Sequence, residues 1–437
     1  MTPIPSFAEA VPVWARIGCL SFGGPAAQIA LMQREIVDQR RWVSDKRFLH
    51  ALNFCMLLPG PEAMQLAAYL GWLMHGVKGG VVAGLFFILP GAAVMLALSF
   101  VYAAFGNVPL IAALFFGLKC AVLILVVEAL LRVAKRALKG AVPWVLAGAA
   151  FLALFVFGLP FPLVILVAVL IGYAWPDAFA KGGHGGAGTE GDSALDAMLA
   201  ADPGRIATMA PLARRAGLVA LALWLWPVAL LMPMGGVFAD IAWFFSKMSV
   251  VTFGGAYAVL AYVAQEAVEH YRWLSAPEML AGLGLAETTP GPLILVLQFV
   301  GFLAGWREGG GAWGAVAGSM LTLWVTFLPC FAWIFLGAPY VERLHDVPRL
   351  KGALAAVTAA VVGVMANLAL WFGLRVLFAR VVDGPFALDY PDVWSLQPTA
   401  LLLAVLAAFC LFRLKLGVVP MLGVTAGAGL LLSLIGL

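Results

Sequence analysis

Three positive charges in this sequence stand where positive charge is costly. Arg16, Lys119 and Lys247 each lie in a stretch of apolar residues. A cation held at such a place pairs with a carboxylate, snorkels to the surface, or serves an anion. Motifs that would serve an anion follow two of them: Ser21-Phe22-Gly23-Gly24-Pro25 after Arg16, and Thr252-Phe253-Gly254-Gly255 after Lys247. A second motif type occurs as Pro59-Gly60-Pro61 and as Thr289-Pro290-Gly291-Pro292. Glycine frees the backbone and proline removes a donor and restricts its predecessor, so each motif is expected to break a helix. Pro25, Pro61 and Pro292 then stand where a helix restarts. A restarting helix presents unpaired N–H groups and about half a positive charge, which suits an oxyanion. Gln65, with Gln298, Asn53 and Thr288, could donate further hydrogen bonds. Glu62, Glu128 and Glu287 are candidates to carry a coupling proton if burial raises their pKa. Plainer roles stand beside these: Glu62 as a helix cap, Glu128 as the partner of Arg132, and Arg16 and Lys247 as partners of Glu9 and Asp240. Arg41-Trp42 and Arg272-Trp273 read as anchors at headgroup depth.

The elements that must position these residues are membrane helices. Of 437 residues, 64% are hydrophobic and only 11% charged, far below the quarter typical of soluble domains. Apolar runs long enough to cross a bilayer recur along the chain, and segments such as Val81 to Phe105 are apolar all round, unlike the strands of a β-barrel. The net charge of +4 comes from scattered basic residues, so no nucleic-acid partner is expected. The five cysteines sit in apolar segments without a C-x-x-C spacing, and the five histidines are dispersed. No disulfide framework, metal site or cofactor is indicated. The start of the chain lacks the features of a cleaved signal peptide.

The motifs are paired by an internal repeat. Phe22-Gly23-Gly24, Glu35, Arg41-Trp42, Ser44 and Pro59-Gly60-Pro61 recur at a constant offset of 231 as Phe253-Gly254-Gly255, Glu266, Arg272-Trp273, Ser275 and Pro290-Gly291-Pro292. Arg16 answers Lys247 at the same offset, and Leu89-Pro90 answers Leu328-Pro329 at 239. The chain therefore divides into a first repeat at 1–175, a flexible cytoplasmic linker at 176–216, an extra transmembrane helix at 217–235, and a second repeat at 236–437. The loop Arg34 to Arg47 holds five Lys and Arg residues, and its counterpart Gln265 to Glu278 holds only Arg272. Cytoplasmic loops carry the excess of Lys and Arg, so the halves read as inverted, with the extra helix supplying the odd crossing. Arg375 and Arg380 are misfits, partly offset by Asp383, Asp389 and Asp392. The fold expected is an all-α polytopic membrane protein of two inverted-topology repeats with broken or re-entrant helices, about 12–13 helical elements in all. That architecture is characteristic of secondary transporters.

At these residues the sequence resembles the chromate ion transporter family in its long form, with two fused homologous domains. The resemblance rests on Ser21 to Pro25, Arg41-Trp42 with Ser44, Leu58 to Pro61, Leu89-Pro90, the Gly117-Leu118-Lys119 stretch and their second-half partners. It implies a protein of the cytoplasmic (inner) membrane that exports chromate and confers chromate resistance, with sulfate as the chemically similar oxyanion. A sulfate or other oxyanion carrier or channel is the alternative, and a membrane-embedded enzyme a more distant one. The doubling is imperfect, with Ala256 in place of Pro25 and Leu293 in place of Glu62, so the halves are expected to contribute unequally to the site.

Overall fold

In the computed structural model the described residues are 4–106, 108–182, 193–251, 256–341, 348–384 and 389–435. The fold is all-α: these residues hold 17 α-helices and one two-stranded antiparallel ribbon, Val381–Asp383 with Asp389–Pro391. The helix count exceeds the expected 12–13 elements because the breaks split long segments and part of the linker folds. The first repeat contributes α1 (Phe7–Leu20), α2 (Gly24–Met32), α3 (Asp45–Leu57), α4 (Glu62–Phe105), α5 (Pro109–Ala137), α6 (Ala141–Phe155) and α7 (Phe161–Ala174). Then come α8 (Ala194–Ala201) and α9 (Arg205–Leu231), followed by α10 (Val237–Val251), α11 (Ala256–Gln265), α12 (Ala276–Thr288), α13 (Val296–Glu308), α14 (Ala312–Gly337), α15 (Pro348–Leu377), α16 (Pro398–Ala408) and α17 (Val418–Leu434). Five of these, α4, α5, α9, α14 and α15, are long and apolar enough to cross a membrane. The chain is a multi-pass membrane protein.

Two compact units form, and neither follows the repeat boundary. One comprises Met1–Leu96, His184–Ala256 and Thr289–Asp346; the other comprises Ala97–Gly183, Tyr257–Thr288 and Val347–Leu437. Each draws on both repeats. The broken helices supply a physical reason, because backbone groups freed in one repeat find their partners in the other.

In the first repeat the helices end at both breaks. At ~1.5 Å per residue, α1 with 14 residues and α3 with 13 reach only ~20 Å, short of the ~30 Å hydrocarbon core. The 44-residue α4 turns at His75 and Gly76, which leave helical φ/ψ. Its two pieces fold back so closely that a Cβ on Gly71 would lie 2.4 Å from the Gly79 carbonyl oxygen. Gly318, equivalent to Gly79 at the 239 offset, likewise crosses a carbonyl, that of Gly301 at 2.3 Å from a built Cβ. Small residues let such helices approach to backbone contact where lipid offers no hydrophobic drive. Helix α9 starts at Arg205, twelve residues before the expected Gly217, and packs on α14, with Trp324 Nε1 donating to the Leu223 carbonyl at 2.7 Å.

Part of the linker folds as a helix. Ser193 caps α8, and the N–H groups of Ala194 and Leu195 donate to the carbonyls of Arg41 and Trp42 at 3.2 and 3.0 Å. Arg47 donates to Asp196 at 2.5 Å, and Leu195 is fully buried. Burial alone would raise the Asp196 carboxyl, but hydrogen bonds from Ser193, Ser44 and Arg47, with the charge of Arg47, outweigh it and hold that carboxyl below its ordinary range.

The second unit is a bundle around α15 and α5. Gly363 lies against the Ala147 carbonyl of α6, Gly352 and Gly172 against each other's turns, and Gly117 of α5 against the Thr425 carbonyl of α17. Arg375 and Arg380, the two misfits of the charge count, are neutralised here. Arg375 reaches Asp389 at 2.7 Å and Glu269 at 3.7 Å, and Arg380 lies 3.9 Å from Asp392.

The repeat is visible in the backbone as well. Helices α2 and α11 both continue as π-helical turns, Gln33–Gln39 and Glu266–His270. Each is followed by an arginine in the left-handed region, Arg41 at φ 52° and Arg272 at φ 55°. The next N–H closes the turn in both cases, Trp42 on Ile36 at 2.8 Å and Trp273 on Ala267 at 2.9 Å. Both indoles are buried, which corrects the reading of these tryptophans as headgroup anchors: the left-handed turn sends the ring inward and leaves the arginine exposed.

Candidate functional site

Three of the four breaks meet in the first unit. In the first, Ser21 ends α1, its Oγ donating to the Ile17 carbonyl at 2.6 Å. Gly23 and Gly24 follow at φ +85° and +78°, a conformation that glycine adopts without strain, and Pro25 opens α2. In the second, α3 stops at Leu57, Gly60 takes φ +123°, and α4 restarts at Glu62. In the third, Gly291 takes φ +92°, and a 3-10 turn at Leu293–Leu295 runs on into α13. Thr252, Phe253, Gly254 and Gly255, the remaining break, lie outside the described residues.

The third break is fastened to the first. The Gly291 N–H donates to the Ser21 carbonyl at 2.8 Å, and the Gln28 Nε2 donates to the Gly291 carbonyl at 2.6 Å. Pro90 gives this junction its thinness. A proline cannot donate to the carbonyl four residues before it, here Phe86, and Gly18 of α1 packs where a Cβ would lie 1.9 Å from that oxygen. Gly91, next along, packs where a Cβ would lie 1.9 Å from the Pro290 carbonyl oxygen.

A small hollow lies between these restarting helices, lined by Pro25 and Gln28, by Gly60, Pro61, Glu62 and Ala63, and by Pro292, Leu293 and Ile294. The first turns of α2, α4 and the segment entering α13 thus face one space. First-turn N–H groups lack intrahelical acceptors and carry the positive end of the helix dipole. Glu62 and Gln28 are its polar side chains. Gln28 is 1% exposed, its Nε2 is engaged by Gly291, and its Oε1 has no partner.

The glutamines expected to donate to an oxyanion have another use. Gln65 Nε2 donates to the Pro59 carbonyl at 2.8 Å, and Gln298 Nε2 donates to the Ala92 carbonyl and to Ser319 Oγ at 3.0 Å each. A helix break frees carbonyls that need donors, and Gln65 supplies one for Pro59, whereas Gln298 serves a carbonyl within α4. Gln28, which sequence reasoning passed over, does the same for Gly291; its signal was a lone amide one turn into a restarting apolar helix.

The three cations are placed apart from this hollow's lining. Arg16 is exposed on α1, its Nε 3.7 Å from the Glu35 carboxylate. Lys247 is exposed on α10, and Lys119 is half-buried on α5 in the second unit. Phe22 is half-buried, and Thr289 and Pro290 are buried beside Gly291. Glu287 is buried on α12, and Glu128 is paired with Arg132, whose Nε donates to it at 2.9 Å. Glu35 was also passed over, although its recurrence as Glu266 marked it. It is 2% exposed and paired with both Arg16 and Arg40.

Comparison with known proteins gives the family. A family model described as chromate transporter matches residues 8–173 and 239–432. The chain belongs to the chromate transporter family. A chromate transport protein of Pseudomonas aeruginosa is 34% identical over 368 residues, 83% of this chain and 80% of that protein. One of Cupriavidus metallidurans is 25% identical over 88% of this chain and 86% of that protein. A probable chromate transport protein of Synechococcus elongatus is 24% identical over 86% of each. No solved structure matches the chain. The chromate transporter match includes every break and all three cations, and it leaves out 174–238, which holds the linker and all of α9.

Proposed function

We propose that this chain exports chromate across the cytoplasmic (inner) membrane by alternating access, and so confers chromate resistance. The observation that carries this reading is the convergence of three proline-led helix starts on one hollow, an anion site made from backbone. The names of the relatives supply the oxyanion. In this reading Ser21 to Pro25, Pro59 to Pro61, Gln65 and Thr289 to Pro292 form the wall, with Thr252 to Gly255 as the repeat's fourth break. Arg16, Lys119 and Lys247 supply full positive charge along the route. Glu62, which lines the hollow, is the leading candidate for a coupling proton, ahead of Glu287 and of Glu128, whose charge is taken up by Arg132.

Two physical arguments support the direction and the topology. Moving one charge through 100 mV is worth about 2.3 kcal/mol, so a dianion leaving a cell that is negative inside gains about 4.6 kcal/mol, enough for roughly a thousandfold gradient without a coupling ion. The excess of Lys and Arg in 34–47 over 265–278 supports repeats of inverted topology, with α9 as the odd crossing.

Substitution of Arg16 or Lys247 by Ala tests the reading: chromate resistance should be lost while the protein still reaches the membrane, and unaltered resistance would remove the assignment. Flux of labelled chromate and of labelled sulfate into inverted vesicles separates chromate export from carriage of another oxyanion. Proteoliposomes with an imposed potential and no pH gradient then separate potential-driven from proton-driven transport.

A further inference from the structure

We propose that Glu35 is a built-in stand-in for the substrate: its carboxylate holds Arg16 while no oxyanion is bound and yields it when one arrives. The inference rests on the proposed role of Arg16 in binding substrate. Glu35 lies in the π-helical turn after α2 and is 2% exposed. A carboxylate so buried needs compensating charge, and two guanidinium groups provide it on unequal terms. Arg40 Nη1 donates to Glu35 Oε2 and, at 3.0 Å, to the Glu35 backbone carbonyl, and its guanidinium lies 5.7 Å from the Trp42 ring centre. Arg40 is thereby fixed. Arg16 is not: its Nε stands 3.7 Å from Oε1, outside hydrogen-bond reach, and its side chain is 58% exposed. Its forked N–H groups, the geometry that takes an oxyanion by two parallel hydrogen bonds, are thus oriented by Glu35 without being committed to it.

The charge balance points the same way. One carboxylate against two guanidinium groups leaves the cluster with an excess positive charge, which a further anion would neutralise. The repeat supplies an independent argument. Arg16 and Glu35 are answered at the 231 offset by Lys247 and Glu266, so the opposite charges are duplicated together, whereas Arg40 is answered by Tyr271. What recurs is a cation with a carboxylate nineteen residues later. The second holder is particular to the first repeat.

Glu35 is therefore a positioning residue, and its removal should change affinity and turnover in opposite senses. In proteoliposomes of the full chain, Glu35→Gln should lower the KM for chromate by about two- to fivefold, the scale of an exposed ion pair, and lower the maximal rate because release slows. Glu35→Asp should restore both. An unchanged or raised KM in Glu35→Gln overturns the proposal. If that variant fails to reach the membrane, Arg40→Gln decides: the loosened carboxylate should draw Arg16 closer and raise KM by a similar factor, and an unchanged or lowered KM overturns the proposal. Absence of chromate transport by the unaltered protein would sink the proposed function and this inference together, while transport with an unmoved KM in these variants would sink the inference alone.

Discussion

Ser21 and Gly291, from the first break of one repeat and the second break of the other, share a backbone hydrogen bond of 2.8 Å. Both residues stand where a helix has been interrupted, so each would otherwise carry an unpaired polar group inside apolar surroundings, at a cost of about 1–3 kcal/mol. Joining the two breaks removes both costs. It also makes the shape of the hollow depend on two segments 270 residues apart in the chain.

Gly91 and Gly18 are the tightest points of this junction. Gly91→Ala would place a Cβ 1.9 Å from the Pro290 carbonyl oxygen and 2.5 Å from a Leu295 methyl, and the obstacle is backbone that cannot rotate away. Overpacking of this kind costs about 1–3 kcal/mol. The melting temperature of the purified protein should fall and transport should be lost. An unchanged melting curve would show that the third break is not seated on α4.

Gln28→Leu keeps the volume of the side chain and removes the donor to the Gly291 carbonyl. Leaving that carbonyl buried and unpaired should destabilise the protein by about 1–3 kcal/mol, seen as a lower melting temperature, and should reduce chromate flux more than Gln65→Leu does, since Gln65 serves Pro59 within its own break. Equal effects of the two would argue against a special role for the tie between breaks.

Glu62→Gln separates binding from coupling. The neutral amide keeps the size of the group lining the hollow but cannot carry a proton. Chromate flux driven by an imposed potential should persist, and any acceleration by a pH gradient should disappear. Loss of both would place Glu62 in binding itself.

The seating of α8 should depend on pH in a stated direction. The Asp196 carboxyl is held below its ordinary value near 3.8, so its contribution is fully present above that value and is lost as pH falls through the lower, folded value. Protection of residues 194–201 from hydrogen exchange, relative to the unfolded chain at the same pH, should therefore be high at neutral pH and fall only below about pH 4. Asp196→Asn should show the lowered protection at neutral pH. Protection in the variant that matches the unaltered protein would remove Asp196 as the anchor.

The helix breaks were legible in the sequence because glycine and proline act through the backbone, and no packing has to be known to see that Gly23, Gly60 and Gly291 permit a turn. What the breaks demand in return was less visible. The carbonyls they free are met by Gln28 and Gln65, and a glutamine in an apolar helix looks the same whether it serves a substrate or a backbone. Helix α8 escaped notice because its partners, Arg41 to Arg47, lie some 150 residues earlier. Glu35 was visible in the repeat, yet its pairing with Arg16 needed the chain to double back through Gly23 and Gly24. The buried Trp42 and Trp273 were misread because composition reports their amphipathic character and says nothing of the left-handed arginine that turns each ring inward.

Because each compact unit takes segments from both repeats, a chain severed within 183–192 would yield two fragments, neither holding all the pieces of either unit. The fragments must find each other before either can finish folding. During synthesis, the first half must accordingly wait in the bilayer with Ser21 and Gln28 unanswered until Gly291 has been made.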